Sequence, residues 1–294
     1  MNEIKPVYEF LLWDNCNNNC SFCFQREKCV NFSTKQKIKS IYKMRQFLDS
    51  DNYKSGSHIL LVGGEIFDDV NPELKDCWWD TINYLGKKMN NKEIDLLYVN
   101  TNLFYKDMSI LVDLFNTIQY YGLWQRFKFT TSYDLKGRFA TKNREKLFLD
   151  NLKWIKEKYP ECNIVVNTIL TNETCEQIIN DKFNPKEFCD EYKCDINLIP
   201  YIVYTKDLSA SCSQIVKALC HTDNLMNGYI GRYYANLNLP QEKHLYKYNA
   251  SKDELDYVSC GHSECGHSEN FKKVLNKDVC YICMLRELLG SIAH

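Results

Sequence analysis

The chain has 294 residues, 45% of them hydrophobic, enough for one large α/β domain of about 200 residues plus a small extension. Charged residues make up 26% and the formal net charge is -1, so total charge singles out neither a nucleic-acid binder nor an acidic tail. No apolar run approaches the roughly 18 residues of a membrane helix, and the opening MNEIKPVYEFLLW lacks the small-residue cleavage site of a signal peptide, so a cytoplasmic protein without membrane association is expected.

Apolar, β-rich runs alternate with amphipathic ones. Strands are expected at Val7 to Trp13, His58 to Val62, Ile94 to Asn100, Arg126 to Ser132, Asn163 to Leu170 and Asp195 to Tyr204. The first helix is expected from Thr34 to Asp49, with an apolar stripe at Ile38, Ile41, Met44, Phe47 and Leu48. The second runs from Pro72 to Lys88 and opens on Asn71-Pro72, a helix-start signal. Others are expected at Asp107 to Tyr121, Asn143 to Tyr159 and Glu173 to Tyr192, the last interrupted at Pro185. Six strands alternating with helices read as repeated β-α units and a parallel sheet. Near-continuous apolar strands fit burial on both faces. Right-handed crossovers would curl this sheet into a full or partial barrel, with any active site at the C-terminal ends of the strands. After about Thr205 the pattern fades: 212–225 reads as one helix, and 228–259 shows no clear periodicity. The division expected is a barrel over 1–205 and an extension over 206–294.

Fifteen cysteines are the strongest compositional anomaly. With no export signal and an odd count, clustered cysteines point to metal ligation or catalysis rather than disulfides. The first cluster follows the first strand: WDNCNNNCSFCFQ holds Cys16, Cys20 and Cys23 as CxxxCxxC in a polar loop suited to tight turning. An electron-transferring [4Fe–4S] cluster takes four cysteines. Three leave one iron open, the usual mark of a catalytic metal. A zinc site with a distant fourth ligand, or closure of the cluster by Cys29, are the alternatives that spacing leaves open. The second strand ends in Gly63-Gly64-Glu65. Glycines let backbone approach a ligand closely, and a carboxylate there can accept from an ammonium.

This cysteine triplet, with the aromatic Phe22 before its last member and Gly-Gly-Glu after strand two, resembles the motifs of the radical S-adenosylmethionine (radical SAM) superfamily over roughly residues 7 to 204. The resemblance implies a partial (β/α)6, TIM-like barrel. It also implies a [4Fe–4S] cluster held by Cys16, Cys20 and Cys23, whose open iron chelates S-adenosylmethionine. By the same resemblance, backbone near Phe22 lies by adenine and Gly63, Gly64 and Glu65 hold the methionine amino group. Ser132, with Asp134 second, serves ribose or carboxylate, and Asn167 flanks adenine. The implied activity is reductive cleavage of S-adenosylmethionine to a 5′-deoxyadenosyl radical that abstracts hydrogen from a substrate. An external one-electron reductant of flavodoxin or ferredoxin type feeds the cluster.

Lys136, Arg138, Lys142, Arg144 and Lys146 follow strand four. They read first as a solvated loop and helical turn, and second as a grip for an anionic substrate group. In the tail, Cys260 and Cys265 form one pair and Cys280 and Cys283 another, the second opening a helix-like run. This module, about 260–290, fits four-thiolate zinc, with His262 and His267 as other ligands. It equally fits an auxiliary iron–sulfur cluster of the SPASM or twitch type. The substrate is then a peptide or protein, suggested by the tail, or a nucleotide or nucleic-acid base. The rival reading is a non-catalytic, metal-stabilised binding protein for nucleic acid or protein.

Overall fold

A computed structural model of the chain describes residues 5–21, 23, 31–67, 71–200, 218, 245–249 and 254–258. Six parallel strands alternate with helices in chain order. They are β1 (Val7–Leu11), β2 (Ser57–Val62), β3 (Ile94–Asn100), β4 (Phe127–Ser132), β5 (Ile164–Leu170) and β6 (Asp195–Pro200). Two further strands, β7 (Leu245–Asn249) and β8 (Glu254–Val258), complete one sheet in the order β6-β5-β4-β3-β2-β1-β7-β8. β7 runs parallel to β1, with Val7 opposite Leu245, and β8 returns antiparallel to β7. The sequence shows no element at 245–258, so these two strands are a correction. The C-terminal cysteines and His262 and His267 lie outside the described residues, as do Phe22, Cys29, Cys212 and Cys220.

The helices start where their caps stand. α1 (Thr34–Leu48) opens on a capping box: the Gln36 amide donates to Ser33 Oγ, and the Ser33 amide donates to Gln36 Oε1. α2 (Pro72–Asn90) begins with Pro72 behind Asn71, whose side chain accepts from the Leu74 amide at 2.9 Å, as the sequence predicts. α3 (Ser109–Tyr120) and α4 (Lys142–Lys158) follow. The stretch expected to break at Pro185 is two helices, α5 (Asn172–Ile179) and α6 (Pro185–Tyr192). Among the described residues no helix is long and apolar enough to cross a membrane.

The strands alternate fully buried and half-buried positions, rather than burying both faces alike. Tyr8 and Phe10 of β1 pack edge-on against Phe47 of α1, and Phe127 and Phe129 of β4 against Phe115 of α3. That face is the core. The other face carries the half-buried Glu9, His58, Tyr98, Lys128, Asn167 and Asn197. Polar side chains there explain the difference, because they keep water or a ligand as neighbours.

One side chain ties the lower end of the sheet together. Arg126 donates from Nε to the Asp95 carbonyl at 2.9 Å, from Nη1 to Met89 O at 2.6 Å, and from Nη2 to Ile94 O. It thus closes the turn from α2 into β3. Arg126→Ala is expected to cost about 3 kcal/mol, since charge-assisted bonds are worth about 1.5–3 kcal/mol each and are not additive. Urea unfolding of the variant beside wild type measures this.

Candidate functional site

Because β1 to β5 are parallel, the loops that follow them gather along one edge of the sheet. The loop after β1 lies directly on the end of β2. Leu12 N donates to Val62 O at 3.0 Å, Gly64 N to Trp13 O at 2.9 Å and Glu65 N to Asn15 O at 2.7 Å. Trp13 returns its indole N–H to Glu65 O at 2.9 Å. The contact is so close that a Cβ on Gly64 would stand 2.3 Å from both Asp14 O and Asn15 O. On Gly63 it would stand 2.8 Å from Trp13 O. The two glycines therefore seat the cysteine loop on the sheet, a close approach that only glycine permits.

Glu65 turns inward from that seat and is buried. Its Oε1 accepts from Phe67 N at 3.0 Å and from Thr101 Oγ1 at 2.7 Å, and its Oε2 accepts from Asn102 N at 2.6 Å. Thr101 Oγ1 also stands 3.1 Å from Tyr105 Oη. Asn102 carries the connection onward: its Nδ2 reaches Asn17 Oδ1 at 2.7 Å and Cys16 Sγ at 3.5 Å. Asn17 Nδ2 in turn donates to Phe104 O at 2.6 Å. The Arg144 guanidinium lies 4.4 Å from the Phe104 ring centre and 3.5 Å from Asn17 O. The ends of β2 and β3 and the start of α4 thus all hold the segment between Cys16 and Cys20.

The second half of the loop is held from β4 and β5. Ser21 N donates to Gly137 O at 2.8 Å, and Cys23 N to Cys20 O at 3.2 Å. Cys20 and Cys23 pack with Ile169 of β5. Arg138 brings Nη1 to 3.7 Å from Cys20 Sγ and donates from Nε to Asp134 Oδ2 at 2.5 Å. Asp134 Oδ1 accepts from Ile169 N at 2.7 Å. The Arg138 and Asp134 side chains are only 11% and 1% exposed. Arg138 is therefore not the solvated residue its basic surroundings indicate; a carboxylate four residues back draws it inward. Ser132 and Asn167 are register partners at the ends of β4 and β5, and Asn167 Oδ1 accepts from Asn197 at 3.2 Å.

Burial pushes the Cys16 thiol up to about 11, with the nearby Glu65 and Cys20 adding to the rise and the Asn18 amide opposing it. Burial also raises Cys20, against the pull of Arg138. Burial raises Asp134 too, opposed by the Arg138 charge and the Ile169 amide. Each thiol lies within electrostatic reach of the next along the loop.

Among the described residues no three His, Cys, Asp or Glu side chains converge as one ion requires. A multi-iron cluster offers a separate corner to each thiolate, so its ligands need not share one point. Cys16 is exposed, Cys23 half-buried and Cys20 buried, and the adjoining Asn18 Nδ2 is buried with no partner. Three thiols, an unpartnered donor and a fixed guanidinium fit an anionic cluster.

Sequence reasoning missed what Thr101 and Arg138 do here. The sequence offers Thr101 equally as a polar residue at the strand end and as a cap, and Arg138 first as loop charge; only the fold brings them to Glu65 and Cys20.

No protein-family model matches the chain, and no curated protein matches it. Among solved structures, an N-acetylneuraminate lyase from Fusobacterium nucleatum is 13% identical, with 79% of each chain covered and a TM-score of 0.22. CdNal from Clostridium difficile in complex with mannosamine is 13% identical, with 80% of each chain covered and a TM-score of 0.19. Likeness that slight bears on neither fold nor function.

Proposed function

We propose that the chain is a radical SAM enzyme built on a partial (β/α)6 barrel, with Cys16, Cys20 and Cys23 holding a [4Fe–4S] cluster. The observation that carries this reading is the seating of the three-cysteine loop on Gly63 and Gly64 at the C-terminal edge of a parallel sheet. Loaded with one electron from an external flavodoxin- or ferredoxin-like donor, such a cluster supplies reductive cleavage of bound S-adenosylmethionine and so hydrogen abstraction from a substrate.

The chain's own residues bind and orient. Glu65 braces the loop through Asn102, whose amide reaches Cys16. Glu65 would hold an ammonium in place of the Thr101 hydroxyl, which keeps Tyr105 Oη as its other partner. Asp134 has its two oxygens engaged by Arg138 and Ile169, so Ser132 is the better-placed contact for ribose or carboxylate. Asn167, fixed by Asn197, lies beside it on the half-buried face, where a substrate and the cofactor's adenine would be held. The C-terminal cysteines belong to the same reading as a zinc or auxiliary iron–sulfur module that docks a peptide, protein or nucleotide substrate.

The test is anaerobic reconstitution with iron and sulfide, then strong reduction with S-adenosylmethionine. 5′-Deoxyadenosine and methionine are the expected products. A loaded, reduced protein that binds S-adenosylmethionine and yields neither overturns the reading; zinc without iron favours the non-catalytic binding protein instead.

A further inference from the structure

We propose that Arg138 is a positioning residue that raises the reduction potential of the cluster through Cys20, and that Asp134 holds it there; this rests on the cluster reading above. Three observations carry it. The guanidinium stands 3.7 Å from Cys20 Sγ. It is held through Nε by Asp134 at 2.5 Å, and Asp134 is held by the Ile169 amide at 2.7 Å. Ile169 itself packs on Cys20 and Cys23. The cation is thus fixed to the strand that also lines the thiols, with its side chain only 11% exposed.

The physical consequence has a definite sign. A thiolate-ligated cluster gains one negative charge when it takes up one electron. A fixed positive charge beside one ligand stabilises the reduced form more than the oxidised one, and does so strongly where water is scarce. A hydrogen bond to the ligand sulfur acts in the same direction. The Asp134 carboxylate opposes this, its charge acting on Cys20 less strongly than that of Arg138. Arg138 and Asp134 therefore pull the potential in opposite directions, and a structural prop alone would not.

The experiment is a dithionite titration of reconstituted wild type, Arg138→Gln, Arg138→Lys and Asp134→Asn, following the reduced cluster by electron paramagnetic resonance. At the poise where wild type is half reduced, Arg138→Gln is expected to lower the reduced-to-oxidised ratio about tenfold, a shift of about 59 mV for one electron. Arg138→Lys should hold the ratio close to wild type, and Asp134→Asn should raise it. An unchanged ratio in Arg138→Gln, or shifts of the same sign in Arg138→Gln and Asp134→Asn, overturns the inference. If Arg138→Gln does not retain iron, a ratio in Asp134→Asn at or below wild type overturns it alone. Wild type that takes up no iron–sulfur cluster instead overturns the reading of the site, and this inference with it.

Discussion

Replacing Cys16, Cys20 and Cys23 together by serine is expected to remove essentially all iron and sulfide from the anaerobically reconstituted protein, with loss of its absorbance near 400 nm. Thiolate is the ligand an iron–sulfur cluster requires, and a serine hydroxyl does not ionise to replace it. The fold should survive. Two of the three cysteines are not fully buried, and the loop's anchoring bonds come from the backbone of Trp13 and Asn15 and the side chain of Asn17. Circular dichroism should match wild type, and the unfolding free energy should fall by no more than about 1 kcal/mol, the usual cost of a substitution outside the core. Quantitative iron and sulfide analysis decides the matter. Iron retained by the triple variant would place the cluster elsewhere in the chain, and the catalytic reading of this loop would fall.

Gly64→Ala should show the second large effect, at a position that supplies no ligand atom to the cluster. Its Cβ meets two backbone carbonyl oxygens at 2.3 Å, and neither carbonyl can swing away as a flexible side chain would. The loop must lift from the sheet. With it go the bonds from Gly64 N to Trp13 O and from Glu65 N to Asn15 O. Overpacking of this kind costs about 1–3 kcal/mol, and each lost bond about 1 kcal/mol more, so a loss of about 3 kcal/mol together with weakened iron loading is expected. Gly56→Ala is the control. Gly56 has open space around it but a φ of +79°, so alanine there should cost about 1 kcal/mol through backbone strain while iron loading stays at the wild-type level. Equal iron loading and equal stability in Gly64→Ala would mean that the loop does not rest on β2 as described.

The alternating frame was open to reading because each element carries its own local signal. HILLV and IVVNTIL are apolar runs of strand length, and Asn71-Pro72 announces a helix that does begin there. The break at Pro185 follows from the missing N–H of proline. LYKYN and ELDYV had no such signal. They are short and polar, and they are strands only because β1 offers a parallel edge and each pairs with the other. At the candidate site, residue types and spacing exposed the cysteines and glycines, since nothing else about those segments is ordinary. Arg138 stayed hidden among lysines. Its partner lies four residues back in a loop, a spacing that means contact only in a helix, and the third member, Ile169, comes from another strand. Glu65 was visible as a carboxylate at a strand end, yet its donors Thr101 and Asn102 belong to the next β-α unit. Contacts between distant units are set by the fold, and local pattern does not encode them.

The place of β7 beside β1 has a consequence for the order of events during synthesis. Val7 pairs with Leu245, so the strand that launches the cysteine loop keeps one bare edge until the segment around Leu245 has left the ribosome. Bringing such remote segments together is slow because loop closure precedes any reward from pairing. The nascent N-terminal half therefore carries its three thiols on an unfinished support. A cluster of the kind proposed would be inserted on a finished support only after β7 has joined β1.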